Sequence, residues 1–310
     1  MQTPLGFVAA RFVLTPRALR WASTVALIVS IIIVFTGGLV RVTASGLGCP
    51  DWPTCDGSSL TTTPALGIHG IIEFGNRLLT SVIIVAVGWV IVAARLQRPR
   101  IRGIERLAWS QFWLIIANAL AGGVSVIAKL NPWVVALHFT LAMALLVTTT
   151  LTWHRVHEKL DVAPTRLSTR PRALTRTLVA TTAALILVGT LVSGTGPHSG
   201  DSSEVPRMPF DWTSVTVIHG VLGTLVLVLG VTVLVSLGSS PRDRLVRRRT
   251  AVFLVVVLAQ GAVGGIQALT GLPESLVSLH LLGAAVVWVG ALRVLLDSDA
   301  ELWSSRTPAV

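Results

Sequence analysis

Eight long apolar segments make up most of this 310-residue sequence. Each is roughly 20 residues or longer, which is the length that an α-helix needs to cross the hydrocarbon core of a bilayer. Helices are the expected elements, because an open sheet edge cannot be satisfied in lipid. The predicted spans are residues 22–40, 68–94, 107–127, 133–153, 173–192, 212–237, 250–269 and 275–296. The pattern therefore predicts an all-α integral membrane protein with eight transmembrane helices.

Basic residues lie at one end of these spans. Only 13% of the residues are charged, yet the net charge is +11. Arginines cluster before span 1 and in the loops after spans 2, 4 and 6, whereas the other loops contain only Arg41, Lys129 and Arg207. Because cytoplasmic loops are rich in lysine and arginine, both termini are predicted to be cytoplasmic. This distribution marks orientation and argues against binding to nucleic acid.

The second half of the chain repeats the first. Residues 117–138 align without a gap with residues 259–280, so His138 matches His280. The segment Ile-His-Gly at residues 68–70 matches the same three residues at 218–220, so His69 matches His219. Four spans per repeat give both halves one direction across the membrane. We therefore predict two four-helix bundles, residues 1–160 and 161–310, related by a pseudo-twofold axis along the membrane normal.

The four matched histidines fall near the outer ends of the even-numbered spans. An ionisable residue inside a span is expensive and is usually functional. Neutral imidazole binds haem iron, and facing helices of a bundle can hold a haem between two histidines. The favoured pairs are His69 with His138, and His219 with His280, which gives one haem site per half. Interhelical hydrogen bonds are the alternative, and zinc is disfavoured because neither half supplies a closed ligand set.

The other three histidines are assigned no metal. His154 and His157 are predicted to lie solvated in a cytoplasmic loop. His198 lies in the third outer loop, where a surface role is favoured over a role at a haem site.

Span 2 carries charges that the matching span 6 lacks. Glu73 and Arg77 follow His69 at intervals of four residues, so the three side chains share one helix face. One interpretation is an intrahelical ion pair that makes Arg77 tolerable in lipid. The other places Glu73 beside a substrate, where it moves protons or stabilises positive charge, and Arg77 against a propionate. The asymmetry suggests a cofactor haem in the C-terminal half and a reacting group in the N-terminal half.

The chain contains two cysteines, Cys49 and Cys55, which lie in the first outer loop. Disulfides persist outside the cytoplasm. A disulfide or a redox-active pair is therefore favoured over two unpaired thiols.

These residues resemble the haem A synthase family in its cysteine-containing branch. The resemblance covers nearly the whole chain and is carried by the loop at 37–55, by Glu73 and Arg77 of a Glu-x-x-His-Arg motif, and by residues 189–201. One departure is Asn76, which stands where the family has a histidine; either His69 replaces that ligand or His138 holds the haem alone. The resemblance implies that Glu73 is catalytic and that Arg41, Asn76 and Arg77 surround the substrate haem.

The resemblance also implies the reaction and its setting. Haem O would be the substrate, its C8 methyl group being oxidised to a formyl group by successive hydroxylations, with haem b as cofactor. The expected place is the bacterial plasma membrane, with the haem sites toward the outer face. Expected partners are membrane lipid, a haem O synthase and a terminal oxidase; the sequence does not identify the electron acceptor, for which a quinone is one candidate. The main alternative is a quinone-linked haem b electron carrier without catalysis; a transporter is disfavoured because the ionisable residues do not lie at the midplane.

Overall fold

A computed structural model describes residues 11–101, 103–157 and 167–299 of the chain. Within these ranges the protein is helical, apart from loops and two isolated β-bridges. A short 3₁₀ turn, Pro64–Leu66, precedes the second helix. The long helices are α1 (Pro16–Val42), α2 (Gly67–Leu96), α3 (Ile104–Ile127), α4 (Pro132–His157), α5 (Thr169–Thr195), α6 (Trp212–Ser236), α7 (Pro241–Leu269) and α8 (Glu274–Ser298).

All eight long helices are long and apolar enough to cross a membrane. Many of their large apolar side chains are exposed, as lipid-facing residues of a multi-pass membrane protein should be. The prediction of eight spans is therefore confirmed. The structure makes most helices longer than predicted, and the largest difference is at α7, which begins at Pro241 rather than at residue 250. A capping box between Ser240 and Asp243 starts this helix, so its first, arginine-rich turns are helical although they are not apolar.

The helices form two rings of four. In the N-terminal half, α1 packs on α2, α2 on α3, α3 on α4, and α4 on α1. In the C-terminal half, α5, α6, α7 and α8 form the same circuit. The histidine-bearing helices α2 and α4 therefore stand at opposite corners of one ring, and α6 and α8 at opposite corners of the other. The pseudo-twofold relation and the cytoplasmic termini stay predictions, and the predicted boundary at residues 160–161 lies outside the described residues.

An apolar seam joins the two rings. It is formed where α1 and α4 meet α5 and α8, and its buried side chains include Val34, Leu146 and Trp288. The indole nitrogen of Trp288 donates to the carbonyl of Met143 at 3.1 Å, which satisfies its polar atom within the seam. Each ring also has an apolar core of its own.

The two ends of the bundle differ in chemistry. We call the end with the α1–α2 loop the disulfide end, and the end where α7 begins the arginine end. At the arginine end, Asp297 is buried and its carboxylate lies 3.1 Å from Arg249. Asp299 is likewise buried and lies against Arg172 and Arg176. Ion pairs with buried carboxylates thus hold these arginine side chains against the end of α8.

The prediction that His154 and His157 are solvated in a loop is wrong, because α4 continues through both residues. His154 is only 8% exposed, and its Nδ1 lies 3.9 Å from a carboxylate oxygen of Asp297 on α8. His157 stacks on Trp153, one helical turn earlier, with ring centres 4.5 Å apart. Polar composition alone suggested a loop, whereas contacts with α8 hold this last turn of α4 in the helix.

Candidate functional site

Glu73 lies on α2 near the disulfide end and is only 5% exposed. One carboxylate oxygen accepts the backbone N–H of Cys49 at 2.6 Å. The other accepts two N–H groups of Arg77, at 3.1 Å from Nε and 2.5 Å from Nη2. Three charge-assisted hydrogen bonds thus hold a buried carboxylate in one orientation at the start of the disulfide loop.

Arg77 uses its whole guanidinium group in this arrangement. Besides the two bonds to Glu73, it donates to the backbone carbonyls of Cys49, Asp51 and Thr54 at 2.9–3.1 Å. A guanidinium has five N–H groups, and all five are therefore engaged. The intrahelical ion pair considered from the sequence is present, but the arginine also fastens a loop to α2. The predicted contact between Arg77 and a haem propionate stays a prediction, and it would require one of these five bonds to open.

Cys49 and Cys55 form a disulfide, as predicted, with their Cα atoms 4.4 Å apart. Both residues are completely buried. After the second cysteine, Asp56 accepts the backbone N–H groups of Ser58 and Ser59 and the Ser58 hydroxyl. These donors, the Ser59 N–H foremost, hold the pKa of the Asp56 carboxyl below its usual range. The loop is therefore closed by a covalent bond and stabilised on both sides by hydrogen bonds.

His69 and Asn76 lie two helical turns apart on α2 and make different contacts. The Nδ1 of His69 lies 2.9 Å from the Ser45 hydroxyl, and the side chain is exposed. The amide oxygen of Asn76 accepts the hydroxyl of Thr36 on α1 at 2.8 Å. Since the Nδ1 of His69 is engaged, its Nε2 is the nitrogen left for a metal.

His138 on α4 packs against α3 at a pair of glycines. A Cβ atom on Gly122 would lie 3.1 Å from Cε1 of His138. A Cβ on the next residue, Gly123, would overlap the indole ring of Trp52 from the disulfide loop. The structure therefore brings the imidazole of His138 and the indole of Trp52 to adjacent positions on α3, while the other end of the same loop is held by Glu73.

In the C-terminal half, His219 and His280 face each other across the bundle. Their ring centres are 6.2 Å apart and their planes are inclined by 64°. Two imidazoles bound through Nε2 to one metal ion, with bonds of about 2 Å, would have ring centres roughly 6.3 Å apart. The Nδ1 of His219 lies 3.1 Å from the carbonyl of Leu185, which it can reach as a donor, so its Nε2 is left as the ligand. The spacing and the tautomer both fit a shared iron.

Glycines position these two rings as well. A Cβ on Gly189 of α5 would lie 3.1 Å from His219, and one on Gly264 of α7 would lie 3.3 Å from His280. The Nδ1 of His280 is buried without a hydrogen bond of ordinary geometry among the described residues.

Arg41 joins the two halves at the disulfide end. From α1 it donates to the carbonyls of Ser193 and His198 at 2.7 and 2.9 Å, which lie at the end of α5 and in the loop after it. His198 in turn contacts the carbonyl of Leu272 through Nε2 at 2.9 Å, so it is part of the packing between loops. The predicted role of Arg41 at the substrate haem stays a prediction.

A profile of the cytochrome oxidase assembly proteins (COX15-CtaA) matches residues 20–292. The chain belongs to this family. A heme A synthase of Staphylococcus epidermidis is 26% identical over 276 residues, which cover 85% of this chain and 90% of that protein. A heme A synthase of Lysinibacillus sphaericus is 28% identical over 200 residues, which cover 63% of this chain and 62% of that protein. One of Listeria monocytogenes is 29% identical over 193 residues, with 61% and 62% covered.

The family match contains every residue of the candidate site, from Arg41 to His280. Sequence reasoning had found the histidines, the carboxylate and the cysteines, but it had missed Trp52 and Ser45. The glycine pair at 122–123, which the repeat matches at 264–265, is the feature of the sequence that leaves room for Trp52. Nothing in the sequence indicated that the group packed on Gly123 is the indole of Trp52, from the disulfide loop of the same chain.

Proposed function

We propose that this protein is a haem A synthase, which oxidises the C8 methyl group of haem O to a formyl group. Relatives with this name align with most of the chain. The observation that carries the proposal is the chemical difference between two similar halves. The N-terminal half holds a buried carboxylate, Glu73, against a disulfide loop, whereas the C-terminal half has Gly223 four residues after the matching His219.

The C-terminal half is proposed to hold haem b between His219 and His280. Their ring separation and the engaged Nδ1 of His219 fit two axial ligands on one iron. When bound, a haem with two histidine ligands supplies electron transfer. No charged side chain follows His219 on α6, so the helix offers no acid or base near this site. This half is therefore assigned the cofactor and the N-terminal half the substrate.

Glu73 is proposed as the catalytic group of the N-terminal half. Oxidation of a methyl group to an aldehyde with oxygen from water passes electrons to the acceptor, releases protons and develops positive charge on the carbon that reacts. A buried carboxylate can accept those protons or stabilise that charge. The Arg77 guanidinium and the Cys49 N–H fix the direction of the carboxylate before substrate arrives, which lowers the reorganisation needed during the reaction.

His138 and His69 are proposed to bind the substrate haem. Nε2 of His69 is available because its Nδ1 is engaged by Ser45. Asn76 is already bonded to Thr36 through its amide oxygen, and an amide is a poor iron ligand. These contacts favour His69 rather than Asn76 as the second ligand of the substrate haem, beside His138.

The setting is proposed from charge and chemistry. The arginine end carries most of the basic residues, and the positive-inside rule then places the disulfide end and both haem sites toward the outer face of the bacterial plasma membrane. Haem O must come from a haem O synthase, haem A must pass to a terminal oxidase, and the electrons must reach an acceptor such as a quinone. These partners belong to the proposal.

The test is chromatography of the haems extracted from purified protein that has been produced together with a haem O synthase. The wild-type protein should contain haem b and haem A. Glu73→Gln should keep haem b and accumulate haem O or a hydroxylated intermediate, because the amide keeps the size of the side chain and removes its charge. Glu105→Gln, a partly exposed carboxylate at the arginine end, is the matched control and should behave as wild type. Haem b alone in every sample, with haem O available, would instead support the electron-carrier alternative.

A further inference from the structure

The indole of Trp52 occupies a slot on α3 that only glycine leaves open. A Cβ atom on Gly123 would overlap Cδ2 and Cε2 of the Trp52 ring, and Cγ of the same ring would be only 2.8 Å away. Gly123 itself is buried. Trp52 is 38% exposed, so part of its ring is covered by α3 and part remains available to another group.

The matching glycine of the C-terminal half packs against no aromatic ring among the described residues. In the internal repeat Gly123 aligns with Gly265, which is exposed, and a Cβ on Gly265 would meet no described atom within 4 Å. The preceding glycines are used alike in both halves, because Gly122 packs on His138 and Gly264 packs on His280. The two halves therefore share the histidine contact and differ at the next residue, where only the N-terminal half inserts an aromatic ring.

Trp52 is linked through its contacts to both groups that are assigned to the substrate. Its contact on α3 is Gly123, and the preceding residue, Gly122, packs against His138. The loop that carries Trp52 begins at Cys49, whose N–H is held by Glu73. Arg77 binds the carbonyls of residues on both sides of Trp52, so the position of the indole is tied to that of the carboxylate.

We propose that Trp52 is a substrate-positioning residue, whose indole forms an aromatic wall of the pocket that takes haem O. This proposal rests on the proposed function. A flat aromatic ring pairs favourably with another aromatic system in offset or edge-to-face arrangements. A porphyrin is such a system, and an indole held by a disulfide, an arginine and a glycine slot loses little freedom when it binds. The indole would thus fix the macrocycle relative to Glu73.

The experiment is a spectral titration of the purified protein with haem O in detergent micelles, with haem b content and the thiol count measured on each sample. The variants are Trp52→Ala, Trp52→Phe, Gly123→Ala and the double variant of Trp52→Ala with Gly123→Ala. Trp113→Ala is the matched control, because Trp113 lies on the same helix α3 with 63% of its surface exposed.

Trp52→Ala should raise the Kd for haem O about tenfold, and Trp52→Phe should restore most of the affinity because a ring remains. Gly123→Ala should weaken binding in the wild-type background, since it displaces the indole, and should have no further effect once Trp52 is alanine. Haem b content and the disulfide should be unchanged in all variants, and Trp113→Ala should bind haem O normally.

An unchanged Kd in both Trp52→Ala and Gly123→Ala would overturn the proposal. So would additive effects of the two changes, because the indole would then not act through the slot. If Trp52→Ala loses haem b or its disulfide, the Kd values of Trp52→Phe and Gly123→Ala for haem O become the test. A Kd for Trp52→Phe as high as that for Trp52→Ala would refute an aromatic wall. A wild-type protein that binds haem O but forms no haem A would refute the proposed function and leave this binding test intact.

Discussion

Arg77→Gln should release the disulfide loop from α2. The wild-type guanidinium holds three backbone carbonyls of the loop and one oxygen of Glu73, whose side chain is only 7% exposed. Removing one partner of a buried ion pair costs about 3–5 kcal/mol. We take the lower end, about 3 kcal/mol, because Arg77 itself is 22% exposed and glutamine can keep one hydrogen bond.

The loop must open before its disulfide can be reduced, because both cysteines are completely buried. When opening and closing are fast, the rate of attack follows the population of the open form. A loss of about 3 kcal/mol raises that population roughly a hundredfold. We therefore expect a water-soluble phosphine to reduce the disulfide about a hundred times faster in Arg77→Gln than in the wild-type protein.

The assay is the time course of thiol labelling after addition of the phosphine, read by mass. The matched control is Arg95→Gln, which removes an arginine from the other end of α2, where its ion pair with Glu105 is partly exposed and contributes little. It should be reduced at the wild-type rate. A reduction rate for Arg77→Gln within twofold of the wild-type rate would mean that other contacts hold the loop and that the hydrogen bonds of Arg77 contribute little to its stability.

Three further changes test other parts of the structure. Gly264→Val should crowd the ring of His280 and alter the spectrum of the bound haem, whereas Gly220→Val should not, because a Cβ on Gly220 meets no atom of the described residues within 4 Å. Equal spectra would show that Gly264 does not position this ring. Arg41→Gln should lower the thermal midpoint by roughly 5 °C, because it removes two hydrogen bonds between the halves, and no shift would show that the apolar seam alone joins them. Asp56→Asn should remove the part of the acid sensitivity of the loop that this carboxylate contributes. The hydrogen bonds that lower the pKa of Asp56 stabilise the loop above the ordinary aspartate pKa of about 3.9, and this stabilisation is lost as pH falls through the folded value. The rate of phosphine reduction in the wild type, divided by the rate in the variant at the same pH, should therefore rise below that pH, and a constant ratio would refute this role of Asp56.

The sequence predicted the helices well because long apolar runs in a membrane leave few alternatives. It also predicted the disulfide, which needed only two cysteines in one loop. It predicted both α7 and α4 too short, with α7 beginning too late and α4 ending too early. Helical turns that contain arginine or histidine have low hydropathy and therefore resemble loops. Capping by Ser240 and contact with Asp297 decide those ends, and both depend on neighbours in space.

The candidate site also has residues that the sequence could predict and residues that it could not. Repeated histidines could be found by aligning the chain with itself, and the facing rings of His219 and His280 fit that pairing. The loop could not be placed in this way, because its path depends on hydrogen bonds from Arg77 to backbone carbonyls, which carry no sequence signature. The same bonds explain why Arg77 and Trp52 have roles that spacing along α2 did not indicate.

We assign the substrate haem to the N-terminal half and the cofactor haem to the C-terminal half. The most direct measurement is the haem content of His138→Ala and His280→Ala, each purified after production with a haem O synthase and analysed by chromatography of the extracted haems. We expect His138→Ala to keep haem b and to lose haem O and haem A, and we expect His280→Ala to lose haem b. Loss of the same haem from both variants, or of haem b from His138→Ala alone, would contradict this assignment.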